Sequence, residues 1–394
     1  MNGMREAADQ IFVNAKHWLV EWMPPALQPL SSILLSVSAI VSVFALLFAI
    51  TTIVERKGLG RFQNRLGPNR VGPFGWLQPV ADGLKTLTKE DVVPRAADRL
   101  VHFLAPLALV VPVFLAFSVL PIGRNMAAID LDAGLLFFFA VGASSELAVF
   151  MAGWSSRNKY SLLGAMRAIA QMISYEVPLI VSSLTVVMMA GTLSLVEIVR
   201  VQADFWHGLP QWHVFTPWGL AGFLLFFVAA TAESNRSPFD IPEGESEIIA
   251  GYYLEYSGFK FALFFLGEYL GLFAVSALAV TLFLGGWSAP VSLLAWLPSW
   301  FWFFAKLCAL IAVLIWVRAT LPRLRMDQLM RFAWTFMLPM ALINLVVAAV
   351  WHYVGGGLAG WLIGAVLLAV PYVGLGLLLG RPGGFRKRTY RFAD

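Results

Sequence analysis

Long runs of apolar residues recur along this chain, each about long enough to cross a lipid bilayer. A helix needs about 20 mostly apolar residues to span the hydrocarbon core. Nine runs meet this length, near residues 31–54, 101–122, 134–153, 161–190, 217–233, 259–285, 299–318, 333–354 and 360–380. The pattern therefore predicts an all-α, polytopic membrane protein with about nine transmembrane helices. Arg167, Glu176 and Pro178 interrupt the fourth run, so a kink or a start outside the membrane is expected there.

The polar stretch after the first run has a different pattern, typical of a helix lying along the membrane surface. Its Gly and Pro residues predict turns over 67–75. Apolar residues then recur at helical spacing, at Trp76, Val80, Leu84 and Leu87. Polar residues mark another face, at Gln78, Asp82, Lys85 and Lys89. This separation predicts an amphipathic surface helix, in a basic loop that either binds lipid headgroups or forms a mouth through which an amphiphile enters the protein.

Composition agrees with a lipid environment and excludes several kinds of redox centre. Hydrophobic residues make up 59% of the 394 positions and charged residues only 13%, against roughly 25% charge in a soluble domain. The single cysteine, Cys308, excludes a disulfide framework and a cluster held by four thiolates of this chain. The five histidines lack metal-ligand spacing, and no glycine-rich phosphate loop follows a strand pattern. We therefore expect no metal site and no permanently bound redox cofactor.

Lysine and arginine are divided unevenly between the two sides of the predicted bundle. The loops 55–100, 154–160, 234–258 and 319–332, with the C-terminal tail, carry 20 basic residues, whereas the opposite side carries 4. Basic loops favour the cytoplasmic side of a membrane. We therefore expect the N-terminus outside and the C-terminus in the cytoplasm.

Ionisable residues fall within or at the ends of the predicted spans, at Glu146, Arg167, Glu176, Glu233, Glu268 and Lys306. A charge costs about 2.5–3.5 kcal/mol or more at the bilayer centre, so each needs a partner, a water-filled cavity or a task. One interpretation pairs these groups as salt bridges between helices. The other makes the carboxylates a proton relay, and the surplus of four acidic groups over two basic ones favours it.

The segment 233–258 is acidic on the side where basic loops are expected. Its carboxylates are Glu233, Asp240, Glu243, Glu245, Glu247 and Glu255, with Arg236 as the only basic residue among them. This acidic face is either simply solvated or able to respond to charge nearby, and the adjoining Ile248-Ile249-Ala250 argues against simple exposure. Arginines in the loop after the seventh run either follow from sidedness, dock acidic partner subunits or neutralise this acid loop.

Four segments of the chain resemble one family closely. They are ERKGLGRFQNRLGPNRVGPFGWLQPVADGLK, GASSELAVFMAGWSSRNKYSLLGAMRAIAQMISYE, ESNRSPFDIPEGESEIIAGYYLEY and RATLPRLRMDQLM. Together they cover a core from about 31 to 354. Each is similar to the H-type membrane subunit of proton-pumping NADH:quinone oxidoreductase, respiratory complex I.

The resemblance implies a subunit that forms the entry path of a quinone and couples its reduction to proton translocation. Beside the quinone path it implies Arg56, Arg61, Asp82 and Lys85. As a proton relay it implies Glu146, Glu176, Glu233, Arg236, Asp240, Glu243, Glu245, Glu247 and Glu268. No residue of this chain is expected to be catalytic in the strict sense.

The resemblance also implies cofactors, partners and a location. The substrate would be ubiquinone or menaquinone, while NADH, FMN and iron–sulfur clusters would belong to partner subunits. Expected partners are peripheral-arm subunits of the quinone module on the cytoplasmic face, small and antiporter-like membrane subunits, and the lipid bilayer, with no nucleic acid. The location would be a bacterial inner (plasma) membrane. We treat 1–394 as one domain, with an extracytoplasmic segment 1–30, an eight-helix core 31–354, and an extra helix with a basic tail at 355–394.

Two other functions fit parts of the pattern. A membrane subunit of a related proton-pumping hydrogenase or formate hydrogenlyase would share ancestry without binding quinone, but the long match through QPVADGLK favours the quinone enzyme. A stand-alone ion-coupled transporter would also carry intramembrane charges. No inverted repeat supports a transporter.

Overall fold

The computed structural model describes residues 8–206, 209–241, 250–355 and 357–379. Within these ranges, eight helices are long and apolar enough to cross a membrane. The predicted run 217–233 forms a shorter apolar helix of 17 residues, Pro217–Glu233. The prediction of an all-α, multi-pass membrane protein is therefore confirmed.

The α-helices of these ranges are numbered here in chain order. They are α1 (Ile11–Glu21), α2 (Gln28–Phe62), α3 (Gln78–Thr88), α4 (Arg99–Phe117), α5 (Gly134–Gly142), α6 (Ser144–Ser155), α7 (Lys159–Ala190), α8 (Leu195–Gln202), α9 (Pro217–Glu233), α10 (Gly258–Phe283), α11 (Ser299–Thr320), α12 (Met326–Phe332), α13 (Leu338–Val354) and α14 (Leu358–Leu379). Helices α5 and α6 together form one candidate span, and a π-helical turn, Ala333–Met337, joins α12 to α13. Two short strands, Phe205–Trp206 and Leu209–Pro210, pair antiparallel.

Helix α2 is longer than the apolar run that predicted it. Its 35 residues make a helix roughly 52 Å long at 1.5 Å per residue, well beyond the hydrocarbon thickness of about 30 Å. The predicted end at residue 54 was therefore too early, because the helix continues into the polar sequence up to Phe62. Glu55 and Arg56 consequently lie on a helix rather than in a loop.

Helix α7 remains α-helical from Lys159 to Ala190 despite the proline and the charges within it. The side chain of Asn158 accepts a hydrogen bond from the Tyr160 amide at 3.0 Å and so caps the first turn. Gly191 ends the helix in the left-handed conformation, with φ 69°. The helix continues through Pro178, which is buried; membrane helices tolerate proline where neighbouring groups satisfy the freed backbone. The expected kink, or start outside the membrane, stays a prediction.

Helix α10 forms the centre of the bundle. Every residue from 272 to 283 is buried, as expected of a helix that is apolar on all sides. The end of α10 is fixed by Lys306, whose Nζ donates to the carbonyls of Leu284, Gly286 and Ser288 at 2.6, 2.9 and 2.7 Å. A cation near helix carbonyls is also favoured by the helix dipole. These hydrogen bonds satisfy the amino group of Lys306, which therefore has a structural role.

The predicted surface helix is present as α3, but its apolar face is not covered by the part of the chain that the structure describes. Val80, Leu84 and Leu87 are each about three-fifths exposed. Its polar face turns towards α2, where Asp82 pairs with Arg56 at 2.6 Å. This arrangement fits a helix whose apolar side rests in lipid.

The last helix, α14, packs on the edge of the bundle. A side chain at Gly364 would begin 3.4 Å from Pro217, so the glycine permits close approach to α9. Tyr372 meets the ring of Phe336 edge-on at 5.7 Å. The remaining surface of α14 is largely exposed, which is typical of a lipid-facing helix.

Candidate functional site

A buried ion cluster, consisting of Glu55, Arg236, Arg318 and Tyr269, joins α2, α10, α11 and the turn after α9. Arg236 donates to the Glu55 carboxylate at 3.2 Å, and Arg318 donates to the same oxygen. The Tyr269 hydroxyl donates to the other Glu55 oxygen at 2.7 Å. Each oxygen of this buried carboxylate therefore has a charged or hydroxyl donor, as a charge away from water requires.

Arg236 is held in the ion cluster by more than its carboxylate. Its guanidinium stacks over the Tyr269 ring at 3.9 Å, a cation–π contact. Burial alone would lower the pKa of Arg236, but Tyr269, Glu55 and Glu268 together raise it. The guanidinium is therefore protonated, and the cluster of two arginines and one carboxylate has a net positive charge beside the neighbouring cavity.

A cavity of about 400 Å³ lies against this ion cluster, and we call it the amphiphile cavity. Its walls come from α2, α3 and α10. Its lining includes apolar side chains, among them Phe48, Leu59, Phe261 and Phe265. It also includes charged side chains, namely Glu55, Arg56, Asp82, Arg236, Glu268 and Arg318. Such a mixed lining suits a ligand with an apolar body and a polar head.

The surface helix α3 forms one wall of the amphiphile cavity through Pro79, Asp82, Gly83 and Thr86. Arg56 of α2 pairs with Asp82 at 2.6 Å and so fastens α3 to α2. Both partners are exposed. The Arg56–Asp82 pair therefore positions α3 more than it stabilises the protein, since exposed ion pairs contribute about 1 kcal/mol or less.

Glu268 lines the amphiphile cavity and also a second, smaller cavity of about 80 Å³, which we call the acid chamber. The Tyr252 hydroxyl donates to Glu268 at 2.8 Å. Glu233 lines the same chamber with Ser145 and Asn235. A single carboxylate therefore stands between the two cavities.

Glu233, which lines the acid chamber, interacts with two further glutamates from α6 and α7. The side chains of Glu146 on α6 and Glu176 on α7 are hydrogen-bonded to each other, and both interact electrostatically with Glu233 on α9. One oxygen of Glu233 is buried and accepts no hydrogen bond from the part of the chain that the structure describes. Two carboxylates in such contact repel each other when both are ionised.

Gln171 of α7 fixes the turn that holds Glu233 and Arg236 in place. Its amide nitrogen donates to the carbonyls of Ala232 and Phe239, each at 2.7 Å, and to the Asn235 side chain at 3.2 Å. Asn235 adopts the left-handed conformation, with φ 51°, which asparagine tolerates better than most residues. This turn points Glu233 to the acid chamber and Arg236 to the ion cluster.

Comparison with known proteins identifies the family of this chain. The family model of NADH dehydrogenase matches residues 35–349. The chain belongs to the NADH dehydrogenase family. Similar curated proteins, each named as the H subunit of NADH-quinone oxidoreductase, come from distant bacteria. The protein of Geobacillus kaustophilus strain HTA426 is 52% identical over 299 residues, which cover 76% of this chain and 87% of the relative.

Two further relatives with the same name show the same extent of similarity. That of Dehalococcoides mccartyi strain CBDB1 is 53% identical over 296 residues, or 75% of this chain and 80% of the relative. That of Burkholderia vietnamiensis strain G4 is 47% identical over 324 residues, or 81% and 90%. The resemblance to the H-type membrane subunit of respiratory complex I is therefore confirmed, and the chain is a membrane subunit of an oxidoreductase complex with other subunits as its partners.

The structure brings some of the residues expected at the quinone path of this subunit together and separates others. Arg56 and Asp82 both line the amphiphile cavity. Arg61 instead lines a basic cavity of about 640 Å³ with Lys57 and Arg65. Lys85 lies in the last turn of α3 and is not among the lining residues of the amphiphile cavity.

The residues expected in the proton relay divide into three groups. Glu233 and Glu268 line the acid chamber, and Glu146 and Glu176 interact electrostatically with Glu233 from α6 and α7. Arg236 belongs to the ion cluster. Asp240 lies 3.6 Å from Arg323. Glu243, Glu245 and Glu247 lie outside the described residues.

Sequence reasoning missed Glu55, Tyr269 and Tyr252. Glu55 follows an apolar run and precedes two basic residues, which is the pattern of a solvated helix end. Its partners Arg236 and Tyr269 lie 181 and 214 residues further along the chain, so no local signal marks them. The two tyrosines lie in aromatic-rich sequence, where a packing role is the ordinary expectation.

The described part of the chain holds no group of His, Cys, Asp and Glu suited to a metal ion. His102 is buried and stacks on Tyr256 at 3.9 Å. His213 is buried near the end of α10, and burial lowers its pKa to about 4, against a weaker raising effect of its hydrogen bond to the Leu282 carbonyl. His213 is therefore packed as a neutral side chain.

Proposed function

We propose that this chain guides a quinone from the bilayer to a reduction site shared with peripheral subunits, and that Glu268 couples the reduction to proton movement. The observation that carries the proposal is that Glu268 lines both the amphiphile cavity and the acid chamber. A change of charge in one cavity is therefore felt directly in the other. Ubiquinone and menaquinone suit the amphiphile cavity equally well, since both combine an apolar tail with a polar ring.

The walls of the amphiphile cavity suit the steps of quinone entry. The exposed apolar face of α3 lies beside lipid, and its polar face forms part of the cavity wall. A quinone leaving the bilayer keeps its tail against Phe261 and Phe265, while its ring approaches the ion cluster. Reduction of a quinone to a quinol takes two electrons and two protons, and the electrons come from partner subunits that carry NADH, FMN and iron–sulfur sites.

The charge of the ion cluster favours reduction. Arg236 and Arg318 outnumber Glu55, so the cluster presents a net positive charge to the cavity. Negative charge that arrives with electrons on the quinone is stabilised there, because donors fixed in a site of low dielectric act strongly on a developing charge. Arg56 and Asp82 then hold the wall of α3 in place as positioning residues.

The change of charge in the amphiphile cavity reaches the acid chamber through Glu268. After Glu268 delivers a proton towards the reduced quinone, it takes up another proton from Glu233, Glu146 and Glu176. These carboxyl groups share protons as a unit, and small changes in surroundings alter their occupancy. The hydrogen bond from Tyr252 to Glu268 links this glutamate to the segment directly after residues 242–249. We therefore include Glu243, Glu245 and Glu247 of the acid loop in the proposed proton relay.

Proton movement along these carboxylates would pass energy to antiporter-like membrane subunits. The enzyme would lie in a bacterial inner membrane with the N-terminus outside. The bias of 20 basic residues against 4 supports this orientation. The names of the similar proteins favour the quinone enzyme over a hydrogenase subunit.

Glu268→Gln in the intact complex tests the proposal. We expect it to lower the number of protons pumped per NADH in inverted vesicles, while NADH oxidation by a soluble acceptor that bypasses the quinone is unchanged. Glu197→Gln is the matched control, because Glu197 is an exposed glutamate paired with Arg200 on α8. Normal pumping by the Glu268→Gln enzyme would remove Glu268 from the coupling path.

The stand-alone transporter is tested by reconstitution. The isolated chain in vesicles should transport no solute and no protons, because the electrons that drive the charge change enter from partner subunits. Ion-coupled transport by the isolated chain would contradict the proposed function.

A further inference from the structure

The start of α10 lies against the loop that follows α3, close to the amphiphile cavity. Lys260, in the first turn of α10, forms an ion pair with Asp91 of this loop at 2.7 Å. We call this contact the latch pair. The Lys260 side chain is 17% exposed and that of Asp91 is 47% exposed. The ammonium group of the latch pair is therefore largely shielded from water, unlike either partner of an ordinary surface ion pair.

The latch pair belongs to a close junction between the two segments. The Val92 amide donates to the Ser257 hydroxyl at 2.8 Å, and that hydroxyl donates to the Glu90 carbonyl at 3.2 Å. Gly258 has a φ of +58°, and a Cβ atom there would lie 3.1 Å from the Lys89 carbonyl oxygen. Glycine suits both the left-handed backbone and the close approach. The loop that leaves α3 is therefore held against the start of α10.

The two helices joined at this junction are both walls of the amphiphile cavity. Helix α3 lines the cavity with Gly83 and Thr86, and α10 lines it with Phe261, which directly follows Lys260. A Cβ atom at Gly83 would meet nothing within 4 Å, so no described group packs against α3 at this point. The spacing between the two walls is therefore set by contacts near the ends of α3.

Helix α3 is tied to the rest of the chain on two sides. Arg56 fastens it to α2 through Asp82, and Lys260 fastens the loop after it to α10 through Asp91. The apolar face of α3, with Leu84, is exposed and contributes little to holding the helix. An element with few buried apolar contacts is displaced easily when one of its ties is lost.

We propose that Asp91 and Lys260 are positioning residues for the substrate of the amphiphile cavity, because their ion pair holds α3 close enough to α10 for both walls to contact an apolar tail. The proposal rests on the proposed function, in which this substrate is a quinone. Neither residue lines the cavity, so the latch pair acts through the walls. Its loss weakens binding of the tail and leaves the rate at saturating quinone unchanged, because the ion cluster and Glu268 are not altered.

The first test compares quinones with and without a tail in the intact oxidoreductase. Asp91→Asn and Lys260→Met should each raise the KM for a tailed quinone about threefold, the scale expected when part of a binding wall is no longer held in place. The KM for a tailless quinone and both kcat values should stay near the wild type. Lys260→Arg keeps the charge and should keep the wild-type KM. Glu90→Gln is the matched control, because Glu90 is an exposed carboxylate of the same loop.

The second test uses salt to separate an ion pair from a packing contact. Added salt should raise the KM of the wild-type enzyme for the tailed quinone but not that of the Asp91→Asn enzyme, since screening weakens only a pair that is present. The wild-type measurement stands even where a variant assembles poorly. The proposal is overturned by a wild-type KM that salt does not change, by single variants with the wild-type KM, or by an equal rise for tailed and tailless quinones.

These outcomes are distinct from those that test the coupling role of Glu268. Failure of the proposed function appears as normal pumping by the Glu268→Gln enzyme. Failure of the latch pair alone appears as a wild-type KM in the Asp91→Asn enzyme, while the Glu268→Gln enzyme pumps fewer protons per NADH.

Discussion

Replacing Glu55 with glutamine should destabilise the protein around the ion cluster more than any exposed substitution. The Glu55 side chain is 6% exposed, and those of its partners Arg236 and Arg318 are 12% and 30% exposed. Glutamine keeps the shape of the side chain but removes the only negative charge in the ion cluster. Two arginines are then left in a site with little access to water.

The magnitude follows from the geometry of the cluster. At the 3.2 Å that separates Arg236 from Glu55, one ion pair is worth about 5 kcal/mol at an effective dielectric constant of about 20, before desolvation is subtracted. Removing one partner of a buried pair costs about 3–5 kcal/mol in measured cases. We therefore expect Glu55→Gln to cost about that much, and Tyr269→Phe, which removes one hydrogen bond to a charged group, about 1.5–3 kcal/mol.

The assay is the temperature at which the purified complex loses half of its NADH:quinone reductase activity on heating. A large membrane complex does not unfold in two states, so temperatures are compared rather than free energies. The double variant Glu55→Gln/Arg318→Gln restores the net charge of the wild-type cluster. It should therefore be more heat-resistant than Glu55→Gln alone. NADH oxidation by a soluble acceptor serves as a control for the peripheral subunits.

Two results would refute this reasoning. The first is a Glu55→Gln complex as heat-resistant as the wild type, which would mean that the arginines find other partners. The second is a double variant less heat-resistant than Glu55→Gln, which would mean that the two substitutions act independently and that net charge does not decide the stability of the cluster.

Three other substitutions separate exposed, structural and titrating groups. Asp82→Asn should leave heat resistance nearly unchanged, because its exposed pair is worth about 1 kcal/mol or less, but should raise the KM for quinone; a fall in heat resistance as large as that of Glu55→Gln would contradict this. Lys306→Met should lower heat resistance strongly, because it removes three hydrogen bonds from a charged donor, each worth about 1.5–3 kcal/mol; unchanged inactivation on heating would show that the end of α10 holds without it. His213 has a pKa of about 4 in the folded chain, below the roughly 6.5 of an unperturbed histidine, so the unfolded state gains its proton first and stability falls as pH drops from about 6.5 to 4. His213→Gln should therefore reduce the loss of heat resistance between pH 7 and pH 5, and an identical loss in both enzymes would count against a buried neutral imidazole.

The sequence predicted most of the transmembrane helices closely because lipid imposes a strict rule on composition. Most residues of a span must be compatible with hydrocarbon, and the backbone groups must be hydrogen-bonded within the protein. Boundaries were less accurate where a helix continues beyond the membrane, as α2 does through Glu55 to Phe62. A helix outside lipid is stabilised by its neighbours, and those neighbours are distant in sequence.

The candidate site was only partly predictable for a related reason. Glu146, Glu176, Glu233 and Glu268 were selected because a carboxylate within an apolar run is costly and needs an explanation. Glu55 was not selected, because at the end of such a run a charge has access to water in the ordinary case. Its burial depends on arginines from two other segments, and no sequence pattern near Glu55 predicts that contact.

By itself, the sequence determined that this protein lies in a bilayer, which stretches cross it, which side is basic and to which family it belongs, because composition and motif are properties of neighbouring residues. Only the tertiary structure decided that Glu268 borders two cavities and that Arg236 joins Glu55 rather than the acid chamber. These features depend on distances between helices, and those distances are set by how whole surfaces pack. The physical reason for the division is that solvation acts on each segment separately, whereas a site exists only where segments meet.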